Sequence, residues 1–352
     1  MNLIDEALAA AGPADPNRDA AKIARLEDDL RLARSRVDSA EKRMHEAERV
    51  REAIFGLKAA PIVAPDWALN RSEASGAPHI PVLLFSDPQW GETISAENMD
   101  GINEYNVAIA EARYRKLIER AVDISFEHLP RNRYEGMIYL RGGDMVSGDI
   151  HQELRETNEL CGVESIRSLV AAETWGIKKL VDAFGSVHVV SVPGNHGRTS
   201  LKPPTKKIAE SNYDTLSAWW LESAFKGDSR ITWHTPLSTD AVFEMHGRNY
   251  LLTHGDNIGT RGGAGFVGPV ATISRGATLT MGEYARRGIM IDKIFMGHFH
   301  SAFAFGRGWS NGSLPGYSEY ARSNRMVPEP PQQWLLYFCA KYGVTSQWLV
   351  RL

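Results

Sequence analysis

Cysteine is scarce. Cys161 and Cys339 are the only two in 352 residues, which excludes a disulfide framework and a cysteine-rich metal site. Both are expected to be ordinary thiols of the core or its margin. Long apolar runs are missing too. None approaches the ~20 residues of a membrane span, and the Asp/Glu/Ala-rich N-terminus has no apolar signal core. The expectation is a cytoplasmic protein with no membrane partner. Excess charge of one sign is also lacking. The chain has 40 Lys and Arg against 43 Asp and Glu, a net charge of −3, so binding of a polyanion would need a local patch. No internal repeat is visible. What is present is ordinary globular composition, enough for one large core and an appendage.

The chain divides by pattern. Residues 1–16 are rich in Ala, Pro, Gly and Asp and read as a flexible N-terminus. Residues 17–58 read as a coiled-coil helix. Within residues 19–57, Ile23, Leu26, Leu30, Ala33, Val37, Ala40, Met44, Ala47 and Ile54 alternate spacings of three and four, interrupted at Arg51, with charges of both signs between them. Such a seam asks for a partner helix, so a homo-oligomer through residues 19–57 is expected. Residues 59–80 read as a linker, with four prolines from Ala59 through Pro81. The globular domain is expected over 81–352.

Within that domain, apolar runs alternate with helical patterns. Strands are expected at Val82–Phe85, Gly136–Leu140 and Val187–Val192, separated by helices over about 99–129 and 152–184. Shorter strands follow, among them Tyr250–Thr253 and Lys293–Met296. This is an α/β layout, whose ligand sites lie at the carboxyl ends of strands. Polar residues cluster there in order: Asp87 with Gln89, Asp144, Asn195 with His196, His254, and His298 with His300. Oxygen and imidazole donors mixed in this way suit manganese, iron or zinc. Histidines elsewhere, such as His45, His79, His188 and His234, read as core or surface histidines. A glycine-rich stretch, Gly259–Gly268, is a candidate substrate loop or lid.

These motifs resemble the calcineurin-like metallophosphoesterase superfamily, whose signature is Asp-x-His, Gly-Asp-x-x-Asp, Gly-Asn-His-Asp/Glu, a lone His often followed by Gly, and Gly-His-x-His. The resemblance covers about residues 80 to 350. It implies two mixed β-sheets packed as a sandwich flanked by helices, the four-layer fold of that superfamily, and two divalent metal ions. Carried over by position, Asp87, Gln89, Asp144 and His300 would hold one ion, with Asp144 bridging to a second held also by Asn195, His254 and His298. His196 would act on the phosphate, stabilising charge or protonating the leaving oxygen. The sequence departs from the family at three places. Gln89 stands for the usual histidine, which favours a harder ion, manganese first, with iron, zinc or magnesium as alternatives. Ser147 ends the Gly-Asp-x-x-Asp motif, so His196 loses a charged orienting partner unless Asp149 reaches it. Gly197 replaces an acid.

The expected reaction is phosphodiester hydrolysis in nucleic acid, DNA first. Arg198, Lys202, Lys206 and Lys207 follow His196 directly and would form a basic rim, with Arg261 and Arg275 nearby. Trp90, Phe266 and Tyr317 are candidates for base stacking. The segment Asn311–Tyr317 also resembles ones in phage-encoded members. Two alternatives stand beside this reading: a phosphodiesterase or phosphatase for a small nucleotide, and an oligomeric ligand-binding or scaffold protein with a weakened metal site.

Overall fold

The computed structural model describes residues 26–35, 37–38, 64–69, 79–129, 134–258 and 268–352. Strands β1 (His79–Phe85), β2 (Met137–Arg141), β3 (Val187–Ser191), β4 (Ile231–His234), β10 (Gln332–Cys339) and β11 (Gly343–Arg351) form a six-stranded sheet in the order β11-β10-β1-β2-β3-β4. Its run from β1 to β4 is parallel, and β10 and β11 extend it antiparallel. A second sheet, in the order β5-β6-β7-β9-β8, combines β5 (Asp240–Met245), β6 (Arg248–Thr253), β7 (Ile291–Met296), β8 (Phe303–Phe305) and β9 (Gly308–Ser310). There β6, β7 and β9 run parallel.

Alternation along the strands builds two cores. On β1, Val82 and Leu84 face a layer shared with Phe243, Tyr250, Leu252 and Phe295 of the second sheet. Leu83 and Phe85 face the other way, into a layer with Tyr114, Leu117, Leu169, Ile177 and Leu221 from helices. This is the sandwich of two mixed sheets expected from the motifs, with helices on the free face of the first sheet. Those helices are α2 (Val107–Asp123, continued by a π-helical turn Ile124–His128), α4 (Gly162–Phe184) and α5 (Tyr213–Ala224).

Several boundaries differ from expectation, for local reasons. Helix α2 starts at Val107 rather than near 99, because the Asn106 side chain caps it by accepting from Ile109 N at 2.9 Å. The helix expected over 152–184 is two, α3 (Gln152–Thr157) and α4; between them Glu159 N donates to Gly91 O at 2.8 Å instead of continuing the helix. Helix α6 (Gly268–Arg286) has no counterpart in the sequence reading. Its Gly276, Gly282 and threonines depress the helix signal. Within the stretch read as linker, α1 (Asp66–Leu69) buries Ala68 in the inter-sheet core, and His246 N donates to Ala68 O at 2.9 Å. A last short helix, α7, spans Glu319–Ser323.

Of the coiled-coil expectation, residues 26–35 and 37–38 are helical, with Leu26, Leu30 and Val37 exposed. The rest of that seam lies outside the described residues. Among the described residues no helix is long and apolar enough to cross a membrane.

His188 on β3 is buried, and its Nδ1 lies 2.8 Å from Thr232 Oγ1 on β4. Burial first, then neighbouring His234, lowers this ring to about 4. The unfolded chain therefore binds a proton that the folded chain refuses between pH 6.5 and 4. Stability is full above 6.5 and falls as the pH drops through that window, by up to ~3 kcal/mol from this group. Urea unfolding at pH 7.5 and pH 4.5 should show His188→Val losing less stability on acidification than the parent. An equal loss in both would refute this assignment.

Candidate metal centre

Five loops leave the carboxyl ends of parallel strands and meet. The loop after β1 lies along the loop after β2: Asp87 N donates to Gly143 O at 3.0 Å, Gln89 N to Asp144 O at 3.2 Å and Trp90 N to Met145 O at 3.2 Å. In the second sheet, Gly297 N after β7 donates to His254 O after β6 at 2.9 Å. The two sheets are joined where His298 N donates to the Asp87 carboxylate, 2.9 Å from Oδ1 and 3.1 Å from Oδ2. Glycine makes the third junction. A Cβ on Gly194 would run into the backbone and carboxylate of Asp144, so only glycine lets the loop after β3 come this close.

Backbone strain is concentrated here. Among the described residues nine non-glycines have positive φ, and five of them are Asp87, Gln89, Asp144, His298 and His300. Each costs about 1–3 kcal/mol. Concentration of that cost at one cluster marks a site whose side-chain placement is held against local preference.

The side chains converge on Asp144, which is 1% exposed. Its Oδ1 accepts from His196 N at 2.7 Å, and its Oδ2 lies 3.1 Å from His254 Nε2 and accepts from Gln89 Nε2 at 3.2 Å. Asn195 Oδ1 is 3.1 Å from both His254 Nε2 and His298 Nδ1. His300 Nε2 is 3.4 Å from Asp87 Oδ1. Two groups of potential ligand atoms result, each within 4.8 Å of one another: Asp144, His254 and His298, and Asp87, Asp144 and His300. Asp144 belongs to both. His254 Nδ1 faces Gly142 O at 2.9 Å, so Nδ1 carries the hydrogen and Nε2 is turned toward Asp144.

The electrostatics agree with a cation site. Burial alone would raise Asp144, but His254 and then His196 outweigh it and hold the carboxyl well below the usual range. Burial alone would lower His254, and Asp144 outweighs it, raising the ring to about 10. A proton shared between buried Asp144 and His254 occupies the place that suits a metal ion. His298 goes the other way, lowered to about 4 by burial and then by cationic His254, which keeps its ring neutral and available as a ligand. One further observation tests the fit: Gln89 Oε1 is buried without a hydrogen-bond partner, beside Asp144. An orphaned amide oxygen next to a shared carboxylate is what a bound cation would satisfy. The residues fit two divalent ions.

Other expected site residues fall differently. His196 donates from Nδ1 to the backbone carbonyl of Ser147 at 2.8 Å, while the Ser147 hydroxyl turns to Asn158 Oδ1 at 3.0 Å. Ser147 thus orients His196 through its backbone rather than its side chain. Asp149 does not take over; its carboxylate lies beside Cys161, whose thiol burial and then Asp149 push up. Arg198 spends its guanidinium on loop carbonyls, with Nη1 on Asn195 O at 3.0 Å, Nε on Ser200 O at 3.0 Å and Nη2 on Leu201 O at 3.2 Å. It shapes the loop rather than reaching into solvent. Lys207 pairs with Glu210 at 3.4 Å, while Lys202 and Lys206 are exposed. Trp90 is fully buried, with Nε1 donating to Ser168 Oγ at 3.0 Å, and cannot stack a base. Tyr317 packs against the helical-side core and Arg275 is exposed. Arg261 and Phe266 lie outside the described residues.

The structure adds residues that the sequence reading missed. Asp214, in the first turn of α5, accepts from Gly194 N at 2.8 Å and Met145 N at 3.1 Å, pinning the loops after β3 and β2 together. Burial, then Asp144, raises its carboxyl to about 6. Asn311 Nδ2 donates to Ser86 Oγ at 3.0 Å, and Ser86 Oγ donates to Asp87 Oδ2 at 2.5 Å, which braces Asp87 from behind. His151 brings its ring to 5.9 Å from that of His196, edge-on at 64°.

No family model matches this chain, and no curated protein does. Among solved structures, a dimetal phosphatase from Danio rerio aligns at 10% identity, over 78% of this chain and 99% of its own, with a TM-score of 0.34. The sulfate thiohydrolase SoxB from Thermus thermophilus aligns at 10% identity over 80% and 58%, with a TM-score of 0.32.

Proposed function

We propose that this chain is a dinuclear-metal phosphodiesterase acting on nucleic acid, DNA first. One observation carries the metal chemistry: buried Asp144 belongs to two groups of ligand atoms at once. Asp87, Gln89, Asp144 and His300 would hold one ion, and Asp144, Asn195, His254 and His298 the other. The oxygens of Gln89 and Asn195 favour a hard ion such as manganese. Two such ions supply Lewis-acid stabilisation and an activated water for in-line displacement at phosphorus.

The chain's own residues do the rest. Gly142 O and the Asp87 carboxylate fix ring and backbone positions of His254 and His298. His196, held through Nδ1 by Ser147 O, keeps Nε2 4.0 Å from Asp144 Oδ2. From there, when Nε2 also carries a proton, it can donate to a phosphoryl oxygen where negative charge builds. Exposed Lys202 and Lys206, on the loop that follows His196, support a polyanionic substrate.

The small-nucleotide reading keeps its own support, because Arg198 is committed to loop carbonyls and Trp90 to the core. The deciding experiment offers bis-p-nitrophenyl phosphate and end-labelled DNA side by side, with manganese, magnesium or zinc. Cleavage of both is expected, with a steep decline of DNA affinity with salt and roughly hundredfold or greater loss in His254→Ala. Cleavage of the small ester alone would move the assignment to a nucleotide substrate. Cleavage of neither by metal-loaded protein would leave a binding protein.

A further inference from the structure

Resting on the phosphodiesterase reading, we propose that His151 is the proton donor to the leaving oxygen. His151 sits in extended backbone, φ −112° and ψ 140°, immediately before α3. Its ring is exposed and meets the His196 ring edge-on at 5.9 Å. Two imidazoles side by side invite a division of labour. His196 is locked at Nδ1 by Ser147 O, with Nε2 on the Asp144 side. It therefore serves the phosphoryl oxygens nearest the ligand groups. His151 lies beside it and is the more exposed of the two. In-line displacement puts the leaving oxygen opposite the attacking water, so the departing group needs a donor of its own, and His151 is a second imidazole next to the first.

The step balances simply. Water forms a new bond to phosphorus and releases its proton to solvent. The bond from phosphorus to the leaving oxygen breaks, and that oxygen takes the proton of the His151 imidazolium. The imidazole is reprotonated from solvent. The surroundings bear on the transfer: partial burial, then the neighbouring His196 and Arg198, lower His151, with Glu153 opposing them. A lowered imidazolium is the stronger acid, and its task is confined to a leaving oxygen that needs a proton.

That confinement is the test. A p-nitrophenolate leaves without a proton, whereas an alkoxide does not. Metal-loaded parent, His151→Gln and His196→Gln are compared on a matched p-nitrophenyl and methyl diester of the same nucleotide. His151→Gln is expected to slow the methyl ester roughly a hundredfold more than the aryl ester, and added imidazole should restore part of the loss in His151→Ala. His196→Gln is expected to slow both esters alike. Thermal unfolding of the variants separates loss of fold from loss of chemistry. Equal slowing of both esters by His151→Gln, or no slowing, would overturn the proposal. So would a parent enzyme that cleaves only the aryl ester, and each of these outcomes leaves the phosphodiesterase reading standing. A parent that cleaves neither ester removes both.

Discussion

Asp144→Asn should leave a folded protein that binds neither metal ion well, whereas His300→Ala should still bind one. The contrast follows from geometry. Asp144 belongs to both groups of ligand atoms, and His300 to one. Asn keeps the shape of Asp and can still accept from His196 N, so the loops after β2 and β3 keep their junction. What it loses is the one negative charge that both groups share. With that charge gone, His254 loses the partner that raises its ring to about 10, and its Nε2 faces an amide. Turnover should fall by more than the ~100-fold typical of outer-sphere changes. The direct measurement is metal content after dialysis against manganese: two ions in the parent, one in His300→Ala and none in Asp144→Asn. Two ions retained at parental affinity in Asp144→Asn would refute the shared-carboxylate reading. Far-ultraviolet circular dichroism of the variants guards against counting an unfolded protein as a metal-free one.

Much of this site is legible along the chain because each part lies at the end of an apolar run. Asp87, Asp144, Asn195, His254, His298 and His300 each follow a strand by a few residues, and parallel strands deliver their ends to one edge. The sandwich is legible for the same reason, since period-two alternation on β1 already separates Val82 and Leu84 from Leu83 and Phe85. What the sequence does not reveal depends on tertiary neighbours. Asp214 is one more acid in the first turn of a helix until the fold sets it against Gly194 and Met145. Arg198 looks like a rim residue because it follows His196, and Trp90 like an aromatic that could stack a base. Only the folded loop shows that carbonyls consume the first and the core consumes the second. Serine at 147 raised the question of what orients His196. The answer is a backbone carbonyl, which any residue there would supply.

Glu173→Gln is expected to be among the most destabilising single substitutions in the chain. Arg141 and Glu173 are fully buried, paired at 2.8 Å between Nη2 and Oε2 and at 2.9 Å between Nε and Oε1. The remaining polar atoms are occupied as well. Arg141 donates from Nη1 to Ser191 Oγ at 2.9 Å and from Nη2 to Ser217 Oγ at 2.7 Å, and Tyr139 OH donates to Glu173 Oε1 at 3.1 Å. Burial by itself would lower Arg141, and Glu173 outweighs it, so the guanidinium stays charged. Removing one partner strands a charge in the helical-side core, which costs about 3–5 kcal/mol, or roughly 5 °C in Tm for a chain of this size. Replacing both partners, as in Arg141→Met with Glu173→Leu, should recover most of that loss, because no uncompensated charge remains. Function should not recover with it. Arg141 ends β2 three residues before Asp144, Ser191 ends β3 four residues before Asn195, and Ser217 lies one turn beyond Asp214. The guanidinium therefore ties together the roots of the loops that place the shared carboxylate, the Asn195 amide and the carboxylate pinning them. Thermal unfolding and manganese content measured on the same samples distinguish the roles. A double variant with recovered Tm but weakened metal binding would show that the buried pair positions the site. Recovery of both would show that it serves stability alone.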